Sequence, residues 1–190
     1  MKHRLWRIPK AVIDTGPLFT VLVLHFARRE QYDAQKRLNL LESAGLDHSL
    51  LESPTRQENY LRLFDSIPVI LTTSHVIGEL QGQQKRVKSH DRSLYDADLY
   101  HFWRSSMELL QQKKLDEKLI RLLDLHAQNG LQQTVCKIGP TDTALIELAR
   151  REGCVLLTDD KRTLARLAWE TGVDCRLVQP LVEEPTEETL

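Results

Sequence analysis

The chain has 190 residues, of which 41% are hydrophobic, so it can bury one substantial core and is expected to form one domain. Its 26 Lys and Arg against 27 Asp and Glu give a formal net charge of -1, which excludes a protein whose whole surface attracts nucleic acid. Three unevenly spaced cysteines argue against a disulfide framework, and no stretch is long enough to cross a bilayer, so we expect a cytoplasmic protein without membrane association.

Four short apolar segments rich in Val, Ile or Leu predict β-strands. They are residues 8–14, 68–72, 154–158 and 175–178. Segments with helical periodicity lie between them, and this alternation is typical of a parallel sheet with helices on both faces. We therefore predict an α/β/α sandwich with a central parallel sheet.

Capping residues predict where several helices begin and end. One helix is expected to begin after Thr141 as its N-cap and to end at Gly153. A second helix is predicted before Gly172, and a third is expected to follow Ser74. Each of these helices lies next to a predicted strand, as the α/β architecture requires.

Two longer stretches predict additional helices. Residues 29–66 are polar and predict two helical pieces with a turn near residues 44–46. Residues 95–112 and 115–128 predict a pair of long helices. These helices would lie outside the basic strand and helix alternation.

Acidic side chains occur next to several of the predicted strand ends. Asp14 ends the first strand in VIDTGPL, Glu79 lies one turn into the helix after the second strand, Asp142 opens a helix, and Asp160 follows the strand CVLLT. The carboxyl ends of parallel strands meet at one edge of a sheet, and the helices that follow strands begin there, so we expect the four acids to converge.

Converging carboxylates repel one another unless a cation holds them. Mg²⁺ and Mn²⁺ prefer oxygen ligands, and two such ions can activate water for in-line hydrolysis of a phosphodiester. The four acids therefore point to metal-dependent phosphodiester hydrolysis that needs no Ser, His or Cys nucleophile.

The residues next to Asp160 can each be interpreted in two ways. Asp159 is interpreted as an outward-pointing cap of the next helix rather than as a metal ligand. Lys161, Arg162 and Arg166 could hold RNA phosphates, or they could form an ordinary solvated helix face.

The segments VIDTGPL, SHVIGEL, TDTALIELA and LLTDDKRTLA resemble, in this order, the four acidic motifs of the PIN-domain family. This family includes VapC-like and PilT N-terminus-like ribonucleases. The resemblance implies a PIN-like α/β/α fold and a ribonuclease that uses Mg²⁺ or Mn²⁺. It assigns the catalytic and metal-binding quartet to Asp14, Glu79, Asp142 and Asp160.

The same resemblance assigns supporting residues. The family motif reads Thr-x-Asp. Thr158 stands two positions before Asp160, so Asp160 matches the quartet better than Asp159 does. Thr15 and Thr158 resemble the hydroxyl positions that support the site. Asp159 is grouped with these two threonines as a supporting residue.

The resemblance also implies partners and domain limits. Family toxins of toxin–antitoxin pairs are often homodimers inhibited by an antitoxin, so an RNA substrate, an antitoxin and a homodimer are expected here. The contact would involve residues 94–128, which could instead cover the sheet. Relative to compact toxins, residues 29–66 and 81–137 are long and are interpreted as insertions in a single domain of residues 1–182, followed by an acidic, disordered tail at 183–190.

Two other functions remain open from the sequence. A PIN-like module could bind RNA or protein with weak or no catalysis. Asp14 could also act as the nucleophile of a phosphotransfer enzyme, but no second Asp at i+2 accompanies it.

Overall fold

The computed structural model describes residues 8–90, 96–121, 124–125 and 131–183. Within these ranges the strands form one five-stranded sheet in which all neighbours are parallel, with the order β3-β2-β1-β4-β5. The strands are β1 (Lys10–Ile13), β2 (Val69–Thr73), β3 (Asp116–Lys118), β4 (Val155–Thr158) and β5 (Cys175–Leu177). The predicted central parallel sheet is therefore confirmed.

Helices flank the sheet. Four follow β1, namely α1 (Thr15–Arg29), α2 (Ala34–Ser43), α3 (His48–Leu51) and α4 (Pro54–Ser66). The next are α5 (Ser74–His90), α6 (Asp96–Gln112), α7 (Leu131–Ile138) and α8 (Pro140–Glu152). The last are α9 (Leu164–Glu170) and α10 (Val178–Val182). Among the described residues, no helix combines the length and the apolar character needed to cross a membrane.

β1 lies in the middle of the sheet and is buried on both faces. Ala11, Val12 and Ile13 are at most 3% exposed. A strand covered on both sides needs a continuous apolar run rather than an alternating one, which explains the sequence AVI. Ile13 pairs with Leu157 of β4, and the N–H of Asp14 donates to the Leu157 carbonyl at 3.0 Å. This register brings the end of β1 next to the end of β4.

α8 differs from its prediction at one end and agrees at the other. The predicted cap at Thr141 is wrong, since the helix begins two residues earlier than predicted, at Pro140, and has Gly139 as its N-cap without a side-chain hydrogen bond. Pro suits the first helical position because its N–H would be unpaired there in any case. Gly153 ends the helix in the left-handed conformation with φ +58°, as predicted.

Residues 29–66 contain more helices than predicted. α1 extends to Arg29, and the remainder forms α2, the short α3 and α4. The predicted turn near residues 44–46 is present, with Gly45 at φ +69°. The segment thus forms three helical pieces, of which α2 and α4 pack on α1.

The second predicted long helix, residues 115–128, is wrong over residues 115–121, whereas residues 124 and 125 are helical. Asp116–Lys118 forms β3, which pairs with Leu71–Thr73 at the edge of the sheet. An edge strand of polar residues carries no apolar alternation, so a strand could not be predicted from these residues. Residues 122–123 and 126–128 of that prediction lie outside the described residues, as do Tyr95 and residues 184–190 of the predicted disordered tail.

The first predicted long helix is confirmed as α6 and packs on α1. Phe102 of α6 is 3% exposed and contacts Phe26 edge-to-face at a centroid distance of 5.3 Å. It also contacts Phe19 at 6.3 Å. The apolar face of α6 therefore packs against α1. Tyr100, on the same helix, is 61% exposed.

Candidate active site

Asp14 is held at the junction of β1 and α1. Its Oδ1 accepts a hydrogen bond from the backbone N–H of Thr15 at 2.6 Å, which makes it the N-cap of α1. Its Oδ2 accepts from the Thr158 hydroxyl at 2.7 Å. Burial raises the pKa of Asp14 to about 6 despite these two bonds, and the charges of Glu79 and Asp159 add to the rise. The carboxylate is thus fixed in position but held at an electrostatic cost.

Thr15 connects this corner to α5. Its hydroxyl donates to Oε2 of Glu79 at 2.6 Å, although the two residues are far apart in sequence. Thr15 is 5% exposed and Thr158 is fully buried, whereas Glu79 lies on the exposed surface of α5. The two predicted supporting hydroxyls therefore orient two of the four predicted acids.

Asp142 lies in the first turn of α8, where a negative charge interacts favourably with the helix dipole. Burial, followed by the charges of three other carboxylates, nevertheless raises its pKa from 3.8 to about 7. These are Asp14, Glu79 and Asp160. The quartet predicted from sequence therefore shares one electrostatic neighbourhood, although its members come from four separate elements.

Asp160 holds the turn that leads into the next helix, whose N-cap residue is Thr163. Its Oδ1 accepts from the backbone N–H groups of Arg162 and Thr163, both at 2.9 Å, and its Oδ2 accepts from Leu164 N–H at 3.3 Å. The prediction that Asp159 is the outward-pointing cap is therefore wrong. Both residues precede the same helix, so the local sequence pattern alone could not tell them apart.

Asp159 points inward instead. Its Oδ2 accepts a hydrogen bond from the hydroxyl of Tyr60 in α4 at 2.6 Å. Burial raises the pKa of Asp159, and the Tyr60 hydroxyl and the nearby backbone N–H of Gln179 lower it in part. Tyr60 was missed by the sequence reasoning because its apolar neighbours Leu61 and Phe64 make it look like an ordinary core residue. It is 3% exposed, and its hydroxyl is the part that reaches the site.

Replacing Tyr60 with Phe should lower the free energy of unfolding by about 1–3 kcal/mol, because the largely buried Asp159 carboxylate loses its hydroxyl donor. Urea denaturation measures this change. Tyr100→Phe is the matched control, since Tyr100 is 61% exposed. Equal stabilities of the two variants would contradict a structural role for the Tyr60 hydrogen bond.

The basic residues next to Asp160 are all exposed. Lys161 and Arg162 precede α9, and Arg166 lies on it. Arg166 pairs with Glu170 at 3.7 Å, one turn away, as on an ordinary solvated helix. Their role in RNA binding stays a prediction.

The donor set suits a hard divalent cation, because each of the four acids offers carboxylate oxygens and their mutual repulsion would be relieved by positive charge. As the side chains stand, no group of three or more His, Cys, Asp or Glu within the described ranges is arranged to hold a metal ion. Cation binding would therefore require side-chain rotation, for which the exposed Glu79 has room.

The parallel sheet and the acids at its carboxyl edge define an α/β/α protein with a polar site outside the strand ends. Residues 48–170, more than half of the chain, match the family model of the PIN domain, so the chain belongs to the PIN domain family, whose members are generally nucleases. The matched range includes Glu79, Asp142 and Asp160, and Asp14 precedes it.

Other comparisons add less. No curated protein matches the chain. One solved structure is similar at 15% identity, with 96% of each chain covered and a TM-score of 0.40. It is described as a domain of a functionally unknown protein from Methanocaldococcus jannaschii DSM 2661.

Proposed function

We propose that the protein is a divalent-metal-dependent endoribonuclease that hydrolyses single-stranded or loop RNA. The observation that carries the proposal is the raised pKa of Asp142, which is caused by burial and by the charges of Asp14, Glu79 and Asp160. Burial and neighbouring carboxylates raise the pKa of both Asp14 and Asp142, so the site gains from a bound cation. Membership of a family of nucleases agrees with this chemistry.

The chain's own residues have separate roles in this proposal. Asp14, Glu79, Asp142 and Asp160 would hold Mg²⁺ or Mn²⁺, and Thr15 and Thr158 orient Glu79 and Asp14 through the hydrogen bonds described above. The cation supplies Lewis-acid chemistry for attack of water on the phosphodiester. Because Asp142 has a pKa of about 7 without a cation, cation binding is expected to release a proton from the site near neutral pH.

The purified protein should therefore cleave unstructured RNA when Mg²⁺ or Mn²⁺ is present and stop when EDTA is added. Excess Mn²⁺ added after EDTA should restore cleavage, which distinguishes metal removal from irreversible inactivation. Gel analysis of an end-labelled RNA measures both steps. Cleavage that continues in EDTA would contradict metal dependence, and absence of cleavage with every divalent ion would contradict the enzyme.

A second candidate function is an RNA- or protein-binding module with weak or no catalysis. The open arrangement of the carboxylates favours it, because no metal-holding group is preformed among the described residues. This function predicts that the protein binds RNA with the same affinity whichever divalent ion is present and that it turns over no RNA with any of them. The cleavage assay above separates the two.

The resemblance to toxin–antitoxin ribonucleases extends the proposal to a cytoplasmic toxin that forms a homodimer and is inhibited by an antitoxin. The apolar face of α6 already packs on α1, so a dimer would have to use the outer surface of α6, including Tyr100. Sedimentation of the purified protein tests the dimer, and a neighbouring antitoxin gene tests the toxin role. A monomer without such a gene would leave a stand-alone nuclease.

A further inference from the structure

A cavity of about 270 Å³ lies beside the acidic end of the sheet. Gly16 of α1 and Asp159 after β4 form the side nearest the quartet. Further wall is supplied by residues 44–47, 49 and 50 and by Tyr60 of α4, whose hydroxyl donates to Asp159. The cavity is therefore located between the acidic edge and the helices that follow α1.

The size and access of the cavity suit one ring-shaped ligand. Its volume lies near the lower end of the range for small-molecule pockets, about 300–1,000 Å³, so it is too small for a nucleic-acid duplex. Nothing lies within 4 Å of the position that a Cβ on Gly16 would occupy. The cavity is therefore not obstructed at Gly16, which lies two residues after Asp14 in the first turn of α1.

The walls combine apolar and hydrogen-bonding groups. Phe19, Leu46 and Leu50 supply apolar surface. Gln83 and Gln179 supply amides that both donate and accept hydrogen bonds. A heterocyclic base has the matching character, because its faces are apolar and its edge carries donors and acceptors.

The charges around the cavity disfavour a phosphate as its occupant. Asp47, Asp159 and Glu183 contribute carboxylates, whereas Arg56 contributes the one positive side chain among the described lining residues. Arg56 is already paired with Glu183 at 3.6 Å. An uncharged group with N–H donors fits such a surface better than an anion does.

We propose that this cavity binds the base of one nucleotide of a single-stranded RNA whose backbone passes over the acidic residues. The proposal rests on the ribonuclease function proposed above and adds the subsite that selects where the RNA is cut. Base-specific recognition of RNA requires an unstacked base, which agrees with a cavity that admits a single ring. The cavity would thus place the adjoining phosphodiester at the carboxylates.

The experiment scans a short unstructured RNA in which each nucleotide in turn is replaced by an abasic one. Binding is measured by fluorescence anisotropy with Ca²⁺ in place of Mg²⁺, and a gel verifies that the RNA stays intact. One abasic position should weaken binding about tenfold, because one bound base is lost. The other positions should have smaller effects.

Two variants link that position to the cavity. Arg56→Ala removes the guanidinium from the wall, and Ser49→Trp fills the cavity from an exposed position of α3. In both variants the abasic substitution at that position should weaken RNA binding little or not at all. Arg62→Ala is the matched control, since it removes an exposed Arg of the same helix that pairs with Glu58 outside the cavity, and it should keep the full penalty.

Two results would overturn the subsite. One is binding that no abasic position weakens, and the other is a penalty unchanged in both cavity variants, which would locate the base elsewhere. If the protein cleaves RNA but gives either of these two results, the nuclease function is supported and the base subsite is contradicted. A cavity-dependent abasic penalty without cleavage would support the subsite and contradict the nuclease. A protein that neither binds nor cleaves RNA would overturn both.

Discussion

Asp14→Asn and Asp142→Asn should each reduce Mg²⁺- or Mn²⁺-dependent RNA cleavage by about 100-fold or more. Each change removes a negative charge from the neighbourhood in which Asp14, Glu79 and Asp160 raise the pKa of Asp142. Catalytic metal ions contribute several kcal/mol to such reactions, and each 1.4 kcal/mol corresponds to about tenfold in rate. Single-turnover cleavage of one RNA at saturating metal measures the loss.

Asparagine has nearly the size of aspartate but carries no charge, so most of the loss should reflect charge. At position 14 its one carbonyl oxygen can still accept from the Thr15 N–H as the N-cap of α1, whereas its NH₂ group replaces the oxygen that accepts from the Thr158 hydroxyl. Asp174→Asn is the matched control, because Asp174 precedes β5 at the opposite edge of the sheet and pairs with Arg176 at 3.0 Å. Full activity in Asp14→Asn or Asp142→Asn would contradict their role as ligands, and loss in Asp174→Asn would show that the assay reports stability instead.

The parts of the fold that are apolar were predictable from sequence. Val12 and Leu156 belong to runs buried on both faces, and such runs occur in parallel sheets. β3 was missed because Asp116–Lys118 is an edge strand whose residues are polar and whose pairing depends on β2. Local composition does not carry that tertiary information.

The candidate site, like the fold, was only partly predictable from sequence. The positions of Asp14 and Asp142 follow from the rule that strand ends and helix starts meet at one edge. The inward orientation of Asp159 did not follow, because it depends on Tyr60, which reaches the site from α4. A hydrogen bond between residues so far apart in sequence leaves no spacing to recognise.

Charge at the site should also lower the stability of the metal-free protein. The pKa of Asp142 rises from 3.8 to about 7 on folding, so between these values the folded state binds more protons than the unfolded state does. Stability therefore falls as pH rises through this window. At pH 7.5 in EDTA, Asp142→Asn should raise the melting temperature, and a gain of 1 kcal/mol corresponds to about 2–4 °C for a chain of this size.

Adding Mn²⁺ should instead give the wild type a higher melting temperature than Asp142→Asn. A ligand that binds only the folded state stabilises it by about 2.7 kcal/mol at 100 times its dissociation constant, and the wild type should gain this stabilisation while Asp142→Asn gains much less. Differential scanning fluorimetry in EDTA and in Mn²⁺ measures both orders, with Asp174→Asn expected to follow the wild type in each. A lower melting temperature of Asp142→Asn in EDTA would mean that the Asp142 carboxylate stabilises the fold, and its repulsion by Asp14, Glu79 and Asp160 could then no longer be the reason for cation binding.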